Sequence, residues 1–436
     1  MTRFSRTCTV TLDRPVLQDK PVSSSQSGAP DYKSPAAMQR DSETEFRSRI
    51  RHWLEANAIP RGAAGDFSAS HLFTAKTLDE FFLREREVFD QAINWQKRLY
   101  DAGWAGLSWP EKYGGQGLPE WTEEVFADEH ARFGVSTKVL SVGLQMAASV
   151  IRRHGTDAQR ARYLPPIIRA EEIWCQLFSE PDAGSDLASI AARAVSTPDG
   201  WEITGQKVWT SGAGVSDLGL LLARTEPSSR GRFGLSCFVL PMQAQGVEVR
   251  PLREMSGAYH FNEVFFSNVS VGSDHLIGAE GEGWAVARTM LSSERSAIGG
   301  GTSARSVQDL IRTAKASRSS ERTDPLVRQL VAAAYIRERV LDLHMQRVLE
   351  GNSGTGASSI GKLLYSEHAR LSSSSAMDII GMASVARLGD ETDVWQDRFL
   401  FSPGLRIGGG TDEIQRNIIA ERGLGLPREP KQENMK

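Results

Sequence analysis

Long apolar runs are missing from this sequence. No stretch reaches about 18 consecutive apolar residues, so no membrane-spanning helix is expected. Cysteine is scarce: Cys8, Cys175 and Cys237 lie far apart, are odd in number and show no metal-ligand spacing. That excludes a disulfide framework and points to a reducing compartment. The eight histidines form no H-E-x-x-H or other ligand cluster, so no metal is expected. Charge of one sign is also missing. The 51 Lys plus Arg stand against 54 Asp plus Glu, a net charge of -3, which argues against a dedicated nucleic-acid surface. The opening "MTRFSRTCTVTLDRP" is basic but lacks an apolar core and soon meets Asp13, so it does not read as a secretory signal. A soluble, cytoplasmic protein is the expectation.

What is present divides into blocks. A chain of 436 residues has room for two or three domains and a large core. The stretch "DKPVSSSQSGAPDYKSPAAMQR" is Ser/Pro-rich, and residues 1–42 read as a disordered leader. From Glu43 the period becomes helical, with Phe46, Ile50, Trp53 and Leu54 on one stripe, and helices are expected through residues 43–173. Around Trp174 the period shifts to two. Runs such as "LGLLLARTE", "LSCFVLP" and "HFNEVFFSNV", with turns at "PDGW" and "TGQK", predict a β domain over 174–283. Helical periodicity returns over 284–436. The expected fold class is α+β: an N-terminal helical domain, a middle β domain and a C-terminal helical bundle.

Three stretches carry chemistry. In "FSEPDAGSDLASI", the hydroxyls of Ser179 and Ser185 and the turn amides around Gly184 suit a carbonyl or phosphate, although the same residues also make an ordinary hairpin connection. In "QKVWTSGA", Trp209 offers an aromatic plane beside the hydroxyls of Thr210 and Ser211, and a core position for this tryptophan is the competing account. In "RIGGGTDEIQR", three glycines free a patch of backbone for close approach or unusual φ just before a helix start. "GASSIGKL" imitates a phosphate loop but ends in Leu363 where Ser or Thr is needed, and reads as helical. "GAEGEG", residues 278–283, fails the dinucleotide fingerprint.

Together, "LFSEPDAGSDLA", "ITGQKVWTSGA" and "GGGTDEIQRNIIAERGLGLPR" resemble the successive signatures of the acyl-CoA dehydrogenase flavoprotein family, and the likeness runs through nearly all of the chain after residue 43. The resemblance implies non-covalently bound FAD, an acyl-CoA substrate, α,β-desaturation, and an electron-transfer flavoprotein as electron acceptor. It implies that Phe178 and Ser179 face the flavin, that Trp209 flanks it, that Ser211 meets its polar edge and that Thr411 faces it from the C-terminal segment. Gly184 and Ser185 fall beside the CoA or cofactor phosphates, and Arg322 matches an arginine that reaches a neighbouring subunit's FAD. A homotetramer, or a dimer with a related chain, follows from a pocket shared between subunits.

Desaturation needs a base for the α-proton. In many relatives a carboxylate directly precedes the Gly-Thr pair of the C-terminal segment, but Gly409 stands there in this sequence. A smaller group of relatives supplies it from a Glu-Arg pair on the helix opening the C-terminal domain, and here "MLSSERSAIGG" contains Glu294 and Arg295. The resemblance implies that Glu294 is the catalytic base, that Arg295 holds the helix end and neighbouring loops, and that Gly409 and Gly410 leave floor space beside the substrate. That space suggests a branched, bulky or ring-bearing acyl group. Asp412 and Glu413 are explained as first-turn acids facing free helix amides. Two other functions remain open on these residues: a flavin-dependent monooxygenase or oxidase on the same scaffold, and a non-catalytic subunit of a heteromeric dehydrogenase.

Overall fold

A computed structural model of the chain describes residues 42–67, 75, 77–229, 231–299, 307–316, 324–351, 354–387 and 391–428. All of the expected leader except Ser42, and Arg322, lie outside the described residues.

The N-terminal part is helical. Helix α1 (Glu43–Asn57) begins at a capping box in which Ser42 and Glu45 satisfy each other's backbone amides. Its stripe of Phe46, Ile50 and Leu54 is fully buried, with Phe46 edge-on to Trp104 and Trp121 at 5.9 and 5.3 Å. Helices α2 (Leu78–Asp101) and α3 (Trp121–His130) follow, then a π-helical turn (Val142–Ala147), α4 (Ala148–His154) and α5 (Asp157–Ile168).

The middle part is an eight-stranded sheet. Its strands are β1 (Trp174–Leu177), β2 (Arg193–Thr197), β3 (Gly200–Ser211), β4 (Leu218–Arg224), β5 (Leu235–Pro241), β6 (Val247–Leu252), β7 (Phe261–Gly272) and β8 (Leu276–Ile277). The order is β6-β7-β3-β2-β4-β5-β8, with β1 parallel to β4. Strands β4 and β5 read as unbroken apolar runs because both of their faces are covered. Leu218, Leu220 and Leu222 pack into one core with α5 and the following helix, while Leu221 and Ala223 enter a second core with Trp201, Ile203 and Phe266. Strict alternation along the strand produces that division.

The C-terminal part is again helical: α6 (Gly283–Gly299), α7 (Val307–Ala316), α8 (Pro325–Leu349), α9 (Ala357–Ile380), α10 (Glu391–Ile407) and α11 (Asp412–Ile418). Helix α6 buries Val286, Ala287 and Met290 in the core shared with β4 and β5. Its next turns carry Ser293, Glu294 and Arg295 along the wall of a large cavity. The α+β arrangement read from periodicity is the observed fold. Among the described residues no helix is long and apolar enough to cross a membrane.

Candidate active site

A cavity of about 2680 Å³ runs between the sheet, the π-helical turn, α6 and the segment joining α10 to α11. Phe178, Ser179, Gly184, Ser185, Trp209, Ser211, Glu294, Arg295, Gly409, Gly410 and Thr411 all line it. Positions far apart in sequence are therefore collected on one surface.

Glu294 is the carboxylate at which α6, β1 and the glycine segment meet. Burial pushes it above the usual carboxylate range, and a hydrogen bond from Gln176, the charge of Arg295 and the backbone of Gly409 pull the other way. Gln176 Nε2 donates to its Oε2 at 3.4 Å from strand β1. The sequence reading missed Gln176, which looks like an ordinary strand residue; only its partner, 118 positions away, reveals it. The Gly409 backbone is thus brought up against Glu294.

Arg295 follows Glu294 on α6, and residues 300–306 beyond this helix lie outside the described residues. Among the described residues it makes no hydrogen bond to neighbouring loops, and its Nε is buried without a partner. Burial lowers its pKa, with Glu294 opposing the shift and Arg422 adding to it. An orphaned guanidinium nitrogen beside a cavity is a donor left for a ligand.

The glycines also have a conformational reason. Gly409 and Gly410 adopt φ of 68° and 89°, where a side chain is strained by roughly 1–2 kcal/mol. A Cβ on Gly410 falls 2.5 Å from Gln415 Nε2, which donates to the carbonyls of Gly409 (2.9 Å) and Gly410 (3.2 Å). Backbone conformation by itself is therefore a reason for glycine at both positions. Thr411 caps α11, its Oγ1 accepting from the Ile414 amide at 3.1 Å.

Asp412 stands in the first turn of α11 as expected, but that position is only part of its setting. It is buried and accepts from Lys362 (2.9 Å), Ser366 (2.8 Å) and Arg406 (2.8 Å). The lysine of "GASSIGKL" lies within helix α9 and anchors the glycine segment through this ion pair. Glu413 is exposed and faces Arg416 at 3.7 Å, as a surface acid does.

Trp209 is 58 % exposed rather than a core residue. The β3–β7 register shifts between Lys207 and Thr210, and Trp209 takes φ of 62° at this irregularity. Strain of this kind persists where the surroundings impose it and presents the indole to the cavity, edge-on to Phe261 at 5.9 Å. Phe178 instead buries nearly all of its ring. Beneath it lies a buried pair also missed from sequence: Lys207 Nζ donates to the Phe178 carbonyl (2.9 Å) and to Glu180 Oε1 (2.7 Å). Lys207 and Glu180 sit inside the two motifs, where flanking serines and tryptophan drew the functional reading.

An exposed indole in a strained bulge, the cavity-lining hydroxyls of Ser179 and Ser211, and an orphaned guanidinium nitrogen fit a flat heteroaromatic group with polar edges and an anionic or carbonyl-bearing ligand beside it. Among the described residues no His, Cys, Asp and Glu grouping could hold a metal ion.

Sequence models for the acyl-CoA dehydrogenase N-terminal, middle and C-terminal domains match residues 40–171, 175–269 and 281–424. The chain is 39% identical over 392 residues to the acyl-CoA dehydrogenase IpdE1 of Mycobacterium tuberculosis, covering 89% of this chain and 98% of that protein. Among solved structures, it resembles the steroid ACAD Tcur3481-Tcur3483 with a TM-score of 0.71 and 25% identity, over 91% of this chain and 99% of the other. The ChsE4-ChsE5 complex from Mycobacterium tuberculosis aligns with a TM-score of 0.70 and 25% identity, over 92% of this chain and 100% of the other.

Proposed function

The chain belongs to the acyl-CoA dehydrogenase family, and from that premise we propose that Glu294 is the base that removes the α-proton of an acyl-CoA thioester. Membership carries FAD-dependent acyl-CoA dehydrogenase activity. The observation that supports the assignment is the meeting of Glu294 with Gln176 and with the Gly409 backbone on the cavity wall.

Burial raises the proton affinity of Glu294, which favours taking a proton from carbon, while the Gln176 amide keeps the carboxylate oriented. Asp412, the nearby acid fixed by Lys362, Ser366 and Arg406, is committed to holding the glycine segment. FAD, when bound, supplies the acceptor for the β-hydride. Trp209 would flank its ring, and Ser179 and Ser211 would meet its polar edge. Gly184 and Ser185 would meet cofactor or CoA phosphates, and the Arg295 Nε, buried without a partner, would meet a ligand oxygen. The carboxylate and flavin-facing hydroxyls favour catalysis over a non-catalytic role.

The acyl group is proposed to be bulky or ring-bearing. The cavity volume and the similarity to a protein named as a steroid ACAD support this. An electron-transfer flavoprotein is the proposed acceptor. The protein is proposed to assemble as a homotetramer or with a related chain, because Ile336, Val340 and Leu343 form an exposed apolar stripe on α8. Light scattering of the flavin-loaded protein tests this, and an active monomer would refute it.

Anaerobic mixing of the purified flavoprotein with straight, branched and ring-bearing acyl-CoAs tests the activity through loss of flavin absorbance. Glu294→Gln should retain FAD and thioester binding while reduction slows by roughly 10²- to 10⁴-fold. Near-normal reduction by this variant would defeat the assignment. Rapid reoxidation of the substrate-reduced protein by oxygen alone would favour an oxidase.

A further inference from the structure

Helix α2 presents Phe81, Glu85, Val88 and Phe89 on one buried stripe, and all four line the cavity. A carboxylate is out of place there. Glu85 is only 6% exposed, and no hydrogen bond from another described residue reaches it. Beside it stands His260, whose Nδ1 lies 2.9 Å from Glu254 Oε1. The surroundings are aromatic: the His260 ring meets Phe81 at 5.8 Å and Phe401 at 5.6 Å, both edge-on. Burial raises the Glu85 carboxyl to about 7, with His260 opposing, so acid and carboxylate forms coexist near neutral pH.

A carboxyl set among apolar side chains on a cavity wall costs stability unless water or a ligand completes it. Glu85 and Glu294 line the same cavity, but different elements present them, α2 and α6. Glu85 faces a cavity roomy enough for water, so water meets its carboxyl until a ligand group displaces it. An alcohol is the complementary ligand group: it donates to the carboxylate and accepts from the carboxylic acid, so it pairs with either form.

Building on the acyl-CoA reading above, we propose that Glu85 is a specificity-determining residue that hydrogen-bonds a hydroxyl on the acyl group, remote from the thioester. The substrate class is then a hydroxylated bulky acyl-CoA. Its aromatic walls would hold the hydrocarbon around that hydroxyl.

The test compares flavin reduction by hexanoyl- to dodecanoyl-CoA with their ω-hydroxy counterparts, and by 3-cyclohexylpropanoyl-CoA with its 4-hydroxy derivative. In the unaltered protein at least one hydroxylated thioester should exceed its plain counterpart in kcat/KM by about tenfold or more, chiefly through KM. Glu85→Leu should collapse that ratio to within about twofold, and Glu85→Gln should retain part of it. Without ligand, Glu85→Leu should also unfold at a higher temperature, because an unpaired buried carboxyl is removed; a merely structural carboxylate would give the opposite shift. No hydroxyl preference at any length, or a preference unchanged in Glu85→Leu, overturns the proposal. Plain thioesters that bleach the flavin in the absence of such a preference defeat Glu85 alone. Failure of every thioester to bleach it removes the acyl-CoA reading and this proposal together.

Discussion

Replacing Lys207 by methionine removes a cation from a place where water cannot substitute for it. Lys207 is fully buried and donates to the Phe178 carbonyl at 2.9 Å and to Glu180 at 2.7 Å. Glu180 retains the Ala191 and Ala192 amides, at 2.6 and 2.9 Å, so its carboxylate loses charge compensation but not every donor. Breaking a buried ion pair from one side costs about 3–5 kcal/mol, and the two surviving amides place this case near the lower end. The Glu180→Gln partner change removes the stranded charge, so the double variant should lose less than the sum of the two singles. The damage also reaches the cavity, since Lys207 fixes the Phe178 carbonyl and the Ser179 carbonyl accepts from the Val208 amide at 2.9 Å. Urea unfolding followed by tryptophan fluorescence, together with FAD bound per chain, reads both effects. A loss below about 1 kcal/mol, or singles that add without coupling, would refute this reasoning.

Because burial raises Glu294, kcat/KM should climb with pH through a limb above the ordinary carboxylate value of 4.5, and Glu294→Gln should erase that limb. A raised folded pKa stabilises the native state at low pH, and the contribution is lost as pH rises. Glu294→Gln should therefore be relatively more stable than the parent at pH 8, which thermal unfolding measures. Burial would raise Asp412, yet hydrogen bonds from Arg406, Lys362 and Ser366 hold it below its usual value. Asp412→Asn should cost about 3 kcal/mol by denaturant unfolding, and equal stability would contradict the anchoring role. Glu129 is held down to about 2, chiefly by the hydrogen bond from Arg51, against burial and with help from Arg47 and Arg132. Its contribution is present above the unfolded carboxylate pKa and is lost as pH falls through about 2. Glu129→Gln should therefore flatten acid unfolding between about pH 4.5 and 2, as circular dichroism would show.

Much of this protein was legible along the chain. The stripe of Phe46, Ile50 and Leu54, the double-sided run of β4 and the helical setting of Lys362 all follow from local periodicity, which one element expresses by itself. The motifs likewise brought Ser179, Trp209 and the glycines at 408–410 to attention, whereas Glu294 stood out only through the family resemblance. Tertiary structure decided what those residues meet. Asp412 is a first-turn acid, as expected, but its pairing with Lys362, 50 positions away, appears only in the folded chain. That the Arg295 Nε is buried without a partner is visible only in the folded chain. Trp209 is set outward by a shift in strand register, and Glu85 is buried by the packing of α2. Periodicity is a property of neighbours in sequence, whereas burial, charge pairing and a missing partner are properties of segments that only the folded chain brings together.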